Sequence, residues 1–321
     1  MRTSLRRAGI GLGTLTATAT LAIAGLAGAA NASTGYHFSM LNNGADPTFN
    51  QLLGINDDGV IAGYFGSGAQ GHPNKGYELW TPDTYRNENF PHSVQTQVTG
   101  LNNEGVTVGF WSTMNTASGA NSNFGFYARN GRFHAVNFPT GDNASPQVDQ
   151  LLGVNNHDVA VGFYTNGQGG NRGYEYDIRT HQFTRVLVPG APGGTAGPSL
   201  TAAAINDHGD VAGFYNRTSA KVDAFLRLSD GRFITLAVPG ASMTQAFGVN
   251  DGDEVVGAYT TGSGDNAQAH GFVWRPGHGF VTVDDPHGIG ATTINGVNDH
   301  GDLVGFYTDS AGNTDGMLAT P

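Results

Sequence analysis

The chain has 321 residues, no cysteine, only 13% charged residues and a formal net charge of −11. The missing cysteines exclude disulfides, thiolate metal sites and a cysteine nucleophile. The acidic balance and the scattered Lys and Arg residues disfavour nucleic acid and anionic membranes as partners, because binding to phosphate depends on clustered basic residues. Fifty glycines indicate many short strands joined by turns.

Residues 1–32 have the pattern of a secretory signal peptide. Arg2, Arg6 and Arg7 precede an apolar stretch, and Ala30-Asn31-Ala32 fits the small-residue cleavage rule. The apolar stretch is shorter than the roughly 20 residues that a membrane-spanning helix needs. We therefore expect cleavage after Ala32 and a secreted product of residues 33–321 without a membrane span. Its net charge is −14, since the leader carries three of the 15 basic residues and none of the 26 acidic ones.

A strand-like segment, Tyr36–Leu41, is followed by one motif that occurs six times. Each copy is anchored by an Asn that follows an aliphatic residue, with a Gly seven positions later and an aromatic residue nine positions later. The anchors are Asn56, Asn102, Asn155, Asn206, Asn250 and Asn298. Repeats with the spacing of these anchors are typical of propellers and other repeat folds.

Every copy contains strand-like runs with turn signals between them. The first run ends on the anchor, and an Asn-Asp-x-Gly type of turn leads into the second run. A variable loop precedes the third run. The fourth run, found in five copies, carries an aromatic residue with a proline six positions on, as in Phe133 and Pro139. Proline suits the end of an outer strand because it cannot donate to a sheet ladder.

The sixth copy stops after its third run, and Tyr36–Leu41 has the spacing of the missing fourth run. An N-terminal strand that completes the last sheet would close a ring and leave no free edges. A β-solenoid is the main alternative, but it does not need such a permuted strand. We therefore predict an all-β, single-domain, six-bladed β-propeller with four-stranded blades, the last blade closed by the N-terminal strand.

The copies resemble the HAF repeat family of predicted extracellular bacterial proteins. The residues that carry the resemblance are Val297-Asn298-Asp299-His300-Gly301, Leu303-Val304-Gly305-Phe306-Tyr307 and His270-Gly271-Phe272-Val273-Trp274. The resemblance implies export and a propeller-like fold. It carries no catalytic residues that match positions of this chain.

The variable segments fall in the links that join second to third strands and fourth to next first strands, which share one face of a propeller. Polar residues five positions before each anchor are candidate ligand-binding groups near the mouth of the central channel: Gln51, Gln97, Gln150, Thr201, Gln245 and Thr293. Trp111 is a candidate for stacking on a sugar. The alternatives are that the polar ring orders water and that the aromatic residues pack between blades.

Four residues of the links are candidates for general acid–base catalysis: His92, Asp285, His287 and His270. Asp149 and His72 lie in the same set of links. The alternative is that these histidines are solvated surface residues. Asp207-His208-Gly209-Asp210 resembles part of a calcium loop but lacks the full ligand series, and a hairpin turn explains it without an ion. The sequence predicts no cofactor and leaves Ca²⁺ open.

The function that the sequence favours is a secreted, monomeric binding protein whose partner is an extracellular glycan or a small-molecule ligand, with a carbohydrate or cell-envelope polymer as the preferred class. One alternative is a secreted hydrolase or lyase that uses His and Asp at the channel mouth. Another is a structural surface protein that binds other proteins through its loops.

Overall fold

The computed structural model of the protein describes residues 35–80, 83–113, 122–139, 147–165, 170–189 and 198–321. The predicted signal peptide lies outside these ranges. The described part is an all-β fold of 24 strands and one short 3₁₀ turn, Gly264–Asn266. Small antiparallel sheets surround a common axis, so the chain forms a β-propeller.

The strands follow the six copies of the motif. The first strands contact one another in sequence around the axis, and the last of them contacts the first. They are β2 (Asn50–Ile55), β6 (Gln95–Leu101), β10 (Asp149–Val154), β14 (Leu200–Ile205), β18 (Met243–Val249) and β22 (Thr292–Val297). The second strands are β3 (Ile61–Phe65), β7 (Val106–Ser112), β11 (Val159–Thr165), β15 (Val211–Thr218), β19 (Val255–Thr261) and β23 (Leu303–Thr308).

The third and fourth strands complete each unit on its outer side. The third strands are β4 (Lys75–Trp80), β8 (Phe124–Arg129), β12 (Asn171–Asp177), β16 (Lys221–Arg227), β20 (Gln268–Arg275) and β24 (Thr314–Thr320). The fourth strands are β5 (Thr84–Asn87), β9 (Arg132–Val136), β13 (Gln182–Arg185), β17 (Phe233–Leu236), β21 (Gly279–Thr282) and, from the N-terminus, β1 (His37–Met40).

The number of separate sheets differs from the prediction. The structure shows four separate four-stranded sheets, not six, and the eight strands β14 to β21 belong to one larger sheet. The physical reason is a parallel pair, Val222 with Met243, which joins β16 of the fourth copy to β18 of the fifth.

The pairing of β1 with β24 closes the last four-stranded sheet, as the sequence predicts. The two strands are antiparallel, with His37 opposite Thr320 and Met40 opposite Met317. The N–H of Leu41 also donates to the carbonyl of Gly316 at 2.9 Å. The two ends of the repeat region are therefore held in one sheet.

The anchor asparagines form a closed cycle of hydrogen bonds. In each copy the side-chain Nδ2 donates to the backbone carbonyl of the next anchor at 2.8–3.2 Å, in the order Asn56, Asn102, Asn155, Asn206, Asn250, Asn298 and back to Asn56. The same side chains accept backbone N–H groups of their own turns, as Asn102 does from Val106 at 2.9 Å. The repeated Asn therefore fixes both its turn and the neighbouring copy.

Close backbone contacts explain two of the repeated glycines. A Cβ on Gly109, seven positions after its anchor, would lie 2.0 Å from the carbonyl oxygen of Gln97 in the paired strand. A Cβ on Gly100, in the first strand, would lie 2.8 Å from the carbonyl oxygen of Leu152 in the next copy. Neither distance leaves room for a side chain, so the motif keeps glycine where strands approach most closely.

Candidate functional site

The propeller has two faces with different residues. We call the face with the links from second to third strands and from fourth to next first strands the link face. The opposite face, with the Asn-Asp turns and the links from third to fourth strands, is the turn face. Each third strand begins at the link face beside the repeated aromatic residue. The directly paired residues are Phe65 and Lys75, Trp111 and Phe124, Tyr164 and Arg172, Tyr215 and Asp223, Tyr259 and His270, and Tyr307 and Asp315.

A central cavity of about 110 Å³ is lined by the ends of the first strands and by the turns of all six copies. At its rim, six Asp and Asn residues form a second closed cycle, in which each backbone N–H donates to the side-chain Oδ1 of the next copy at 2.8–3.0 Å. The members are Asp57, Asn103, Asn156, Asp207, Asp251 and Asp299. Burial, together with the charges of Asp57, Asp251 and Asp207, raises the pKa of Asp299.

The predicted polar ring lies elsewhere. All six residues, Gln51, Gln97, Gln150, Thr201, Gln245 and Thr293, are buried, and none of them lines the central cavity. The Nε2 of Gln97 donates to Oδ1 of Asn74 at 2.9 Å, and Asn171 Nδ2 donates to Thr201 Oγ1 at 2.8 Å. The amide of Gln150, 0% exposed, has no hydrogen-bond partner among the described residues. Ligand binding by this ring stays a prediction. The hydrogen-bond partners observed for Gln97 and Thr201 are side chains of the protein itself.

The side chain of Trp111 packs against other aromatic rings of the protein. Its ring stacks on Phe90 with centroids 4.2 Å apart and planes within 2° of parallel, and Phe124 lies 5.1 Å away at a tilt. Phe90 belongs to the link that enters the second copy. Its stacking covers one face of the indole, which reduces the surface that a sugar could stack on.

The four predicted catalytic residues fall into three places. His92 is exposed in the link between the first and second copies and has a left-handed backbone with φ 62°. The other three residues lie in the fifth copy and in the link that leaves it. The Nδ1 of His287 lies 3.0 Å from Oδ1 of Asp285, whose side chain is 2% exposed, whereas the imidazole is 74% exposed. The structure thus pairs two of the predicted residues and separates His92 from them.

His270 has a carboxylate partner, Asp284, that the sequence analysis does not name. Its Nδ1 lies 2.7 Å from Oδ2 of Asp284, and its Nε2 lies 3.2 Å from Oγ1 of Thr261. The Oδ1 of Asp284 also accepts the N–H of Gly271 at 3.0 Å. Sequence reasoning missed Asp284 and Thr261. The hairpin pairing of the third and fourth strands is the signal that could have found Asp284.

Asp149 is one of the buried carboxyl groups of the link face. Tyr174 donates its hydroxyl to Oδ1 at 2.5 Å, and the N–H of Phe138 donates to Oδ2 at 2.5 Å. Burial raises the pKa of Asp149 to about 7. The equivalent residues Thr96 and Thr244 also accept a backbone N–H from the residue before a proline. The position is therefore structural in several copies.

The acidic turns that resemble calcium loops are held by internal hydrogen bonds. In the fourth copy the N–H of Asp210 donates to Oδ1 of Asn206 at 2.8 Å, and Asp210 itself accepts the N–H of Ser229. Within the described ranges, no three His, Asp or Glu side chains are grouped as metal ligands would be. The same ranges contain no helix with the length and apolar character needed to span a membrane.

No protein-family model matches the chain, and no curated protein matches it in sequence. Solved structures match its fold. AofleA from Arthrobotrys oligospora has a TM-score of 0.52 and 10% identity, over 88% of this chain and 86% of that chain. A mutant of the Aleuria aurantia lectin in complex with Fucα1-6GlcNAc has a TM-score of 0.47 and 11% identity, over 84% and 91%. The polysaccharide lyase PL25 ulvan lyase has a TM-score of 0.46 and 12% identity, over 85% and 78%. At 10% identity, the likeness to AofleA shows the fold alone.

Proposed function

We propose that the protein is a secreted binding protein for an extracellular glycan and that it binds on the link face, at the junction of the fifth and sixth copies. The observation that carries the proposal is the pair of His–carboxylate contacts at this junction, His270 with Asp284 and His287 with Asp285. Consecutive carboxylates and two imidazoles supply the closely spaced hydrogen-bonding groups that sugar hydroxyls require.

Two tyrosines flank these pairs. The ring of Tyr259 lies 5.1 Å from His270 at a 28° interplanar angle, and the ring of Tyr307 lies 6.3 Å from His287. Aromatic rings beside polar groups suit a ligand with apolar C–H faces and polar edges, such as a saccharide. The exposed imidazole of His287 gives the ligand direct access.

The proposal includes a finer description of the architecture. We interpret β14–β17 and β18–β21 as two blades, which gives a six-bladed ring. The parallel pair between them has equivalents at other junctions, where Phe49 pairs with Thr314, Asn123 with Val148 and Ala269 with Ala291 as isolated bridges. Membership of the HAF repeat family, removal of a signal peptide and a monomeric state belong to the same proposal.

Retention on immobilised polysaccharides tests the binding proposal. We expect the mature protein to be retained by at least one neutral or acidic extracellular polysaccharide and His287→Ala to be retained less. The matched control is His278→Ala, because His278 is also an exposed histidine but lies in a third-to-fourth link on the turn face. Equal retention of both variants, or no retention of the unmodified protein, would contradict the proposal.

Acid–base catalysis on a glycan is the second candidate, and one observation favours it. The buried Asp285 holds Nδ1 of His287, which directs Nε2 of the exposed ring towards solvent. A carboxylate that orients an imidazole in this way is a common arrangement for a general acid or base. Release of shorter saccharides during the retention experiment, abolished in His287→Ala, would support this candidate over binding alone.

A further inference from the structure

Thr261, His270 and Asp284 form a hydroxyl–imidazole–carboxylate chain. The Thr261 Oγ1 lies 3.2 Å from His270 Nε2, and His270 Nδ1 lies 2.7 Å from Asp284 Oδ2. Each ring nitrogen has one partner, in the order that nucleophilic catalysis needs: hydroxyl on one side and carboxylate on the other. We propose that these three residues are a catalytic site that cleaves carboxylic esters.

Three adjacent strands of the fifth copy place the side chains together. Thr261 ends β19, His270 lies in β20 opposite Tyr259, and Asp284 follows β21. Thr261 lies two residues beyond Tyr259, so it shares the face of the sheet that His270 occupies. The N–H of Gly271 donates to the second oxygen of Asp284 at 3.0 Å, which fixes the carboxylate relative to β20. Thr261 and His270 thus stand on strands, and the hydrogen bond from Gly271 ties the carboxylate of Asp284 to the second of them.

The proposed reaction is an acyl transfer to water. His270 Nε2 takes the proton of the Thr261 hydroxyl as Oγ1 attacks the ester carbonyl carbon. The ester C–O bond then breaks, and the leaving alcohol takes the proton from His270. Water, deprotonated by His270, releases the acid from Thr261 and restores the hydroxyl. Asp284 holds the imidazole in the required tautomer and stabilises its protonated form.

The surroundings of Thr261 suit this chemistry. The side chains of His270 and Asp284 are each 21% exposed, so a substrate can reach them from the link face. The N–H of Gly262, the residue after the nucleophile, donates to none of the described residues, which leaves it available for the oxygen that becomes negative during attack. Gly262 has φ 70°, and a Cβ there would lie 2.2 Å from the carbonyl of Asn266, so this turn requires glycine.

The substrate class follows from the location. The site adjoins Asp285 and His287, where we propose that a glycan binds, so the ester is inferred to be an acyl substituent on a saccharide hydroxyl. This assignment of the saccharide rests on the proposed function. The ester-cleaving chemistry does not, because it depends only on Thr261, His270, Asp284 and the N–H of Gly262.

Hydrolysis of p-nitrophenyl acetate tests the chemistry without any glycan. We expect the mature protein to release p-nitrophenol faster than buffer, Thr261→Ala and Asp284→Asn to fall to the rate of buffer, and Thr261→Ser to stay within about tenfold of the unmodified protein, because serine keeps the nucleophilic hydroxyl. Thr260→Ala is the matched control with an unchanged rate, since the Thr260 side chain points to the opposite face of β19.

Intact mass after brief exposure to the ester gives a second readout. We expect one added acetyl group in the unmodified protein and in Thr261→Ser, and none in Thr261→Ala. Thermal melting of each variant shows that it is folded. Hydrolysis that persists in folded Thr261→Ala, or none in folded Thr261→Ser and unmodified protein, overturns the proposal. Ester cleavage without polysaccharide retention would reject only the proposal that the protein binds a glycan. Retention without cleavage would reject only the proposed catalytic site.

Discussion

The hydroxyl of Tyr174 donates a 2.5 Å hydrogen bond to Oδ1 of Asp149, and both side chains are buried at the junction of the second and third copies. Tyr174 also lies among the apolar residues that pack between these copies, including Val108 and Leu151. A carboxyl group in this environment is more stable when it is protonated, because burial penalises the charged form.

This environment predicts a specific pH dependence. The pKa of Asp149 is raised by burial from an ordinary value of 3.8 to about 7. The folded protein therefore binds this proton more tightly than the unfolded chain, and the stabilisation is complete below about pH 4 and is lost as the pH rises to about 7. The difference corresponds to about 4 kcal/mol at most. We expect the free energy of unfolding of the unmodified protein, relative to Asp149→Asn, to decrease over this interval, as measured by denaturant titration. Parallel pH profiles of the two proteins would contradict the expectation.

The cycle of anchor asparagines predicts that removing a single side-chain amide lowers the free energy of unfolding. Asn298→Ala removes the 3.2 Å bond to the carbonyl of Asn56 and the acceptor for the N–H groups of His300 and Asp302. We expect a loss of about 1–3 kcal/mol in the free energy of unfolding, because buried backbone groups lose their partners. Asn313→Ala is the control, since Asn313 bonds only within its own turn. Equal losses of unfolding free energy in the two variants would show that the cycle does not stabilise the fold.

Closure by the N-terminal strand predicts that a short deletion destabilises the whole fold. Removing residues up to Leu41 breaks the ladder between β1 and β24 and removes Tyr36, whose hydroxyl lies 3.4 Å from Arg275. We expect a lower melting temperature in a single cooperative transition. Met40→Ser is the control, because Met40 is among the exposed apolar residues. A truncated protein that melts like the intact one would refute the role of this strand in closing the ring.

The stacking of Trp111 on Phe90 predicts a change in stability rather than in binding. Trp111→Ala removes a half-buried ring from the cluster with Phe90 and Phe126. We expect a loss of about 2–4 kcal/mol in the free energy of unfolding, with polysaccharide retention unchanged in the folded variant. Trp111→Phe keeps part of the stacking and should lose less. Lost retention at unchanged stability would instead assign the ring to ligand binding.

Local patterns in the sequence were enough to predict much of the fold. The Asn-x-x-Gly turns, the repeated glycines and the proline after the fourth run indicated the hairpins, since each depends on backbone conformation within a few residues. The permuted N-terminal strand indicated closure, which the pairing of β1 with β24 confirms. The number of separate sheets was wrong, because one parallel pair between Val222 and Met243 depends on the distance between copies, which no local pattern encodes.

The candidate site was predictable only in outline. The sequence indicated the link face and named His270, His287 and Asp285 together with His92, which the structure places apart from them. Only the tertiary structure shows that Asp284 and Thr261 are the partners of His270. It also shows that the polar residues five positions before each anchor, Gln150 among them, are buried, and that Phe90 stacks on Trp111.

There is a physical reason why the sequence determines some of these features and the tertiary structure decides the others. Strand periodicity and turn chemistry act over a few residues, so the sequence by itself determined the repeated strands, their turns and the strand that closes them. Contacts between copies join residues far apart in the chain, as in the bond between Asn298 and Asn56 across 242 positions. Which side chains meet there depends on the packing and twist of neighbouring sheets, and that was decided only by the tertiary structure.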